Sequence, residues 1–260
     1  MDWQLIAIGT AASIGAGAAT GIGALLVLFV RKLPQALNDA LLGFSAGVML
    51  AASFFSLIIP GLARATADLG STAPAALVVI AAVMLGAIAL SLINRYVPHE
   101  HFVIGKQGIE TRALRRIWLF VIAITLHNFP EGLAVGVGYG QGDIASGNSL
   151  AIGIGLQNIP EGLAVAVALR TLGYGRLACF AIGGATGLVE PIGGVLGVTA
   201  VTLFAPLLPW GLGFAAGAML FVVSNEIVPE THRRGHEQLA TFGLMIGLAV
   251  MMFLDVTLTK

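Results

Sequence analysis

Long apolar stretches broken by short polar connectors set the pattern of this chain. A helix crosses the hydrocarbon core with about 20 apolar residues. Eight segments meet that length, near 5–30, 40–62, 75–93, 117–139, 149–169, 177–203, 210–228 and 239–256. The connectors fall at 31–39, 63–74, 94–116, 140–148, 170–176, 204–209 and 229–238, and only 94–116 is long. The pattern predicts an all-α membrane protein with eight transmembrane helices, forming a single polytopic domain over 1–260. Residues 1–30 read as the first helix and not as a signal peptide, because Asp2 is the only charge before Arg31 and the apolar run is too long for an h-region.

Two internal repeats refine that picture. HNFPEGLAVGVG (127–138) and QNIPEGLAVAVA (157–168) agree at eight of twelve positions, thirty residues apart. LGFSAGVML (42–50) and LGFAAGAML (212–220) agree at seven of nine, at an offset of 170. Helices 4 and 5 are antiparallel, as are helices 2 and 7, so the repeats predict an inverted 3+2+3 arrangement. Helices 1–3 would relate to 6–8, with 4 and 5 on the pseudo-two-fold axis, a recurring transporter plan with a site at mid-membrane.

Composition agrees with the membrane reading: 57% hydrophobic residues and 10% charged ones, with a mean hydropathy of +0.95, against about a quarter charged in soluble domains. Thirteen basic residues balance thirteen acidic ones, so no basic excess points to nucleic acid. Connectors on one side carry eleven of the thirteen Lys and Arg: Arg31, Lys32, Arg95, Lys106, Arg112, Arg115, Arg116, Arg170, Arg176, Arg233 and Arg234. That asymmetry places the 94–116 loop in the cytoplasm and both termini outside it. Cys179 has no partner for a disulfide within the chain and reads as packing. Glycine pairs four apart, such as Gly43/Gly47 and Gly213/Gly217, allow close helix approach, either as static packing or as a sliding interface.

The repeated motif carries the chemistry. His127 and Glu131 lie four apart, as do Gln157 and Glu161, so each pair projects from one helix face. Antiparallel helices set His127 level with Glu161 and Gln157 level with Glu131, which converges four donors on one point. Imidazole nitrogen with carboxylate oxygen suits Zn²⁺ and its neighbours. Asn128, Asn158 and Glu190 face an adjoining position and have two readings, a second cation site with the motif glutamates or structural hydrogen bonding. Met49 offers a soft sulfur or fills the core. Pro130 and Pro160 free the carbonyls of Leu126 and Leu156, which predicts kinked or locally unwound helices there. A carboxylate at the bilayer centre costs about 2.5–3.5 kcal/mol, and Glu131, Glu161 and Glu190 have no Lys or Arg in the central spans to offset it. A visiting divalent cation would, with a proton relay as the competing account. Glu226, with Asn225 beside it and Ser56 as its repeat counterpart, reads as a relay on an exit path or as an interfacial carboxylate. His99, His101, His232 and His236 lie in connectors, where metal capture competes with ordinary solvated polarity.

At these residues the chain resembles the ZIP (Zrt/Irt-like) family of divalent metal transporters, particularly its bacterial GufA-type branch. HNFPEG, QNIPEG, GLVEP (187–191), LGFSAGVML and SNEIVPETH (224–232) carry the likeness along nearly the whole chain. The resemblance implies a homodimer in the cell's inner or plasma membrane that moves Zn²⁺, often with Cd²⁺, Fe²⁺ or Mn²⁺, into the cytoplasm. It also implies an elevator-like motion of helices 1, 4, 5 and 6 past 2, 3, 7 and 8. By motif position, His127, Glu131, Gln157, Glu161 and Met49 would form the transport site, and Asn128, Asn158, Glu131, Glu161 and Glu190 the adjoining one. The chain departs from the family pattern at Gln157, where His is common, at Asn158, where close relatives have Asp, and at Asn225, where they have His.

Two other classes compete with a transporter. An intramembrane zinc hydrolase expects an HExxH pair or a three-histidine shell, whereas His127 is the one histidine within a span. A metal sensor expects an output domain, and no segment of this sequence reads as one.

Overall fold

The computed structural model describes residues 2–30, 33–96, 109–232 and 235–259. His99 and His101, and much of the Lys and Arg asymmetry, lie outside the described residues. The described residues are helical nearly throughout, and eight helices are long and apolar enough to span a membrane. They are α1 (Trp3–Leu28), α2 (Gln35–Leu69), α3 (Thr72–Ile93), α4 (Phe120–Gly140), α5 (Ile144–Thr171), α6 (Arg176–Leu203), α7 (Ala205–Thr231) and α8 (Glu237–Leu258). An even number of crossings returns both termini to one face.

Local chemistry sets the ends. Asp2 caps α1 by accepting from the backbone N–H groups of Gln4 and Leu5, each at 3.1 Å. Asp143 caps α5 through Ala145 and Ser146, so only Gln141–Asp143 separate α4 from α5, where the apolar pattern had suggested a nine-residue connector. Gly142 turns that corner at φ 83°. Tyr139 and Asn148 then close the hairpin at 2.5 Å.

Of the kink or local unwinding expected at the two motif prolines, local unwinding does not occur. α4 and α5 continue as α-helix through Pro130 and Pro160. A proline removes one rung, and tight neighbours hold the remainder of each helix in place. Irregular backbone appears elsewhere. α2 widens to a π-helix over Ala52–Ile58, just before Pro60, and α7 does so over Val223–Ile227, just before Pro229. A wide turn moves the carbonyl four residues back, of Ser56 and of Asn225, away from the proline ring. The two wide turns sit at corresponding positions of the helix 2 and helix 7 repeat.

Packing divides the helices into pairs: α1 with α5, α4 with α6, α2 with α8, and α3 with α7. Glycine makes those pairs close. A Cβ on Gly132 would strike the backbone of Glu190, on Gly23 that of Ile159, and on Gly162 that of Thr20. These contacts knit α1, α4, α5 and α6 into one set. In the other set, Gly43 and Gly47 meet the α8 backbone at Ala240 and Leu244, and Gly217 meets α3 at Val83. Between the sets the contacts change character. There Gly153 faces the Met251 thioether and Gly211 faces the Val137 side chain. An apolar cleft of about 260 Å³ opens along the same boundary, beside Leu133, Val137, Trp210 and Phe214. Cys179 is buried and free, packed with Val121, Ile124 and Leu169.

Candidate metal site

The repeated motif lies at the heart of the first set, where α4 and α5 run antiparallel. His127, Asn128, Glu131, Gln157, Asn158, Glu161 and Glu190 are all buried, none more than 3% exposed. Met49 of α2 is buried in the main apolar core. Close glycine packing explains how polar side chains reach one another here: with Gly132 against Glu190 and Gly162 against Thr20, the helix axes approach to backbone contact.

Gln157 donates its amide to Glu131 Oε1 at 2.5 Å. Asn158 Nδ2 donates to Glu190 Oε1 at 2.7 Å and to the carbonyl of Ala16 at 2.9 Å. Thr20 adds a longer contact to the same Glu190 oxygen at 3.4 Å. The second copy of the motif is thereby bonded both to its partner helix and to α6, which carries Glu190.

These bonds use only part of the donor set. Glu131 Oε2, Gln157 Oε1, Asn158 Oδ1, Glu161 Oε1, Glu190 Oε2, both amide atoms of Asn128 and both ring nitrogens of His127 are buried with no hydrogen-bond partner. A buried polar atom left unpaired costs about 1–3 kcal/mol, more when it is charged. Most of these open atoms are oxygens and two are imidazole nitrogens, which is the chemistry of a divalent transition-metal shell. Among the described residues, no three His, Cys, Asp or Glu side chains are drawn together as a closed metal cluster.

His127 makes a contact that the spacing did not predict. Its Nε2 lies 2.9 Å from Glu226 Oε2 of α7, so it reaches across to the other set of helices. Glu226 is 22% exposed at its side chain, which puts it at the edge of the site. Its neighbour Asn225 is exposed. Ser56 lies toward the terminal face, where it donates to Asp255 Oδ1 at 2.9 Å. His232 turns back onto its own helix, with Nδ1 2.9 Å from the carbonyl of Val228. His236 meets buried Asp39 at 2.9 Å, and Gln35 also bonds that carboxylate at 2.7 Å, which ties the start of α2 to the start of α8.

Four polar groups escaped the sequence reading. Asp39 falls in a stretch taken for connector, and Asp255 lies near the end of the last span. Thr20 and Ser45 are small hydroxyls within apolar helices. Ser45 donates to the backbone carbonyl of Gln157 at 2.9 Å. Its position four residues before Met49 on the same face of α2 was the available signal.

Comparison with known proteins gives a consistent result. A family profile described as ZIP Zinc transporter matches residues 105–255. Zinc transporter ZIPB of Bordetella bronchiseptica is 49% identical over 241 residues, covering 93% of this chain and 78% of that protein. Zinc transporter GufA of Myxococcus xanthus is 45% identical over 250 residues, covering 96% and 98%. Zinc transporter ZIP11 of Homo sapiens is 35% identical over 320 aligned residues, covering 92% and 94%.

Proposed function

The chain belongs to the ZIP family of zinc transporters, and from that premise we propose that it carries Zn²⁺ into the cytoplasm through the site formed by the two motif copies on α4 and α5. Members of the family move zinc and do not transform a substrate, which sets the hydrolase reading aside.

In this proposal His127, Glu131, Gln157 and Glu161 hold the ion, with the Met49 sulfur beside them. Asn128, Asn158 and Glu190 line an adjoining position. One observation carries the reading: nine buried polar atoms from these residues are unpartnered, and they are drawn from both motif copies and from α6. A divalent ion satisfies several at once and offsets the repulsion among the three carboxylates. The same nitrogen and oxygen donors accommodate Cd²⁺, Fe²⁺ and Mn²⁺ as further substrates.

The proposed motion is elevator-like, with α1, α4, α5 and α6 moving past α2, α3, α7 and α8. Glycine packing supports it. Gly23, Gly132 and Gly162 in one set and Gly43, Gly47 and Gly217 in the other bring backbones into contact, whereas at Gly153 and Gly211 the boundary is met by Met251 and Val137 side chains. The corresponding wide turns of α2 and α7 support the 3+2+3 inverted arrangement. A homodimer in the inner or plasma membrane, inward transport and extracytoplasmic termini belong to the same proposal. They rest on the family resemblance and on the distribution of Lys and Arg along the sequence.

The test is zinc entry into proteoliposomes. Flux abolished in Glu131→Ala and in Glu161→Ala, with both variants folded, supports the assignment. Flux equal to the parent in both would reject it.

A further inference from the structure

Asn158 joins three helices through one side-chain nitrogen. From α5, its Nδ2 donates to the carbonyl of Ala16 on α1 at 2.9 Å and to Glu190 Oε1 on α6 at 2.7 Å. A primary amide carries two N–H donors, and both are used here. A backbone carbonyl can only accept, so Ala16 fixes which end of the amide is nitrogen. Thr20, one turn along α1 from Ala16, adds its longer contact to the same Glu190 oxygen at 3.4 Å. Asn158 and Glu190 are both fully buried.

Charge decides what this arrangement holds. Glu131, Glu161 and Glu190 are the buried acids of the site and carry three formal negative charges, whereas Asn128, Gln157 and Asn158 are neutral amides. Glu226 stands apart from them, partly exposed, beside His127. One Zn²⁺ leaves a single negative charge in the site. Two would leave a net positive charge in a low-dielectric interior, with four times the repulsion of two unit charges between the ions. Glu190 is the acid outside the two motif copies, and a charge-assisted bond from Asn158 already stabilises it. The oxygens left open on this pair, Asn158 Oδ1 and Glu190 Oε2, carry one formal charge between them.

We propose that Asn158 limits the site to one divalent ion: its amide, clamped by the Ala16 carbonyl, stands against Glu190 in the place of a second cation. Asn158 is then a positioning residue that acts by donation. This inference rests on the zinc-site reading above. A carboxylate at position 158 would set two acids against each other with no donor between them, and a second divalent ion would bridge them.

The experiment counts zinc on the purified full-length protein by calorimetry, with zinc-edge X-ray absorption to detect one zinc beside another. Ions that remain in the Glu131→Ala, Glu161→Ala double variant are assigned to groups outside the site and subtracted. The parent is expected to hold one zinc in the site and to lack zinc–zinc scattering at about 3.5–4 Å, the spacing of two-metal centres. Asn158→Asp is expected to double the count to two and to gain that scattering. Asn158→Ala, which removes the donor and adds no charge, is expected to stay at one. Elution and melting profiles report folding, and if Asn158→Asp does not fold the parental count decides alone. Two zinc ions in the parental site overturn the proposal, as do two in Asn158→Ala or only one in folded Asn158→Asp. A parent whose site binds no zinc would instead overturn the transport-site reading.

Discussion

Gln157 and Glu131 stand 26 residues apart in sequence and 2.5 Å apart in the folded chain, joined by an amide-to-carboxylate bond in a fully buried site. The bond commits Glu131 Oε1 and leaves Oε2 open. A half-satisfied carboxylate in a low-dielectric interior is a poor stability device and a good cation receptor.

Gln157→Ala removes the group that orients Glu131. Zinc affinity is expected to fall about 10- to 100-fold, the range for partners that hold a ligand in place. Equilibrium binding of zinc to the purified protein measures it. Gln157→His, which adds a nitrogen donor, is expected to bind zinc at least as tightly as the parent.

Glycine packing yields a paired prediction. Gly132→Ala drives a methyl group into the Glu190 backbone, whereas nothing lies within 4 Å of a Cβ on Gly15. Thermal melting in detergent is expected to show Gly132→Ala destabilised by about 1–3 kcal/mol. Gly15→Ala should stay within about 0.5 kcal/mol of the parent.

The cap of α5 is pH-dependent. The Ser146 hydroxyl and two backbone N–H groups hold the Asp143 carboxyl below its ordinary range. Because the folded-state value is lowered, the stabilisation is fully present above the ordinary Asp value of about 3.9 and is lost as pH falls through the folded one. Asp143→Ala is expected to cost about 0.5–2 kcal/mol at neutral pH. The difference from the parent should shrink in melts run below about pH 3.

Much of this architecture was legible because lipid imposes a simple rule on sequence. Eight apolar runs of sufficient length became eight helices, and motif spacing on antiparallel helices brought Gln157 level with Glu131. What escaped depended on tertiary neighbours. Pro130 and Pro160 were expected to kink or locally unwind their helices; both helices stay α-helical through them, and the wide turns formed in α2 and α7, ahead of Pro60 and Pro229. Spacing alone ties His127 to its own motif, and only packing reveals Glu226 of α7 as its neighbour. Ser45 and Thr20 look like ordinary small residues of apolar helices until Gln157 and Glu190 are set beside them. Asp39 is buried because α2 begins at Gln35 after Pro34, five residues before the apolar pattern starts.

The most direct test of the central claim is anomalous scattering at the zinc edge from crystals of the protein soaked in zinc. A peak within about 2.0–2.2 Å of carboxylate oxygens from both Glu131 and Glu161 is the predicted result. A well-ordered structure, soaked at saturating zinc, with no peak between α4 and α5 would contradict it.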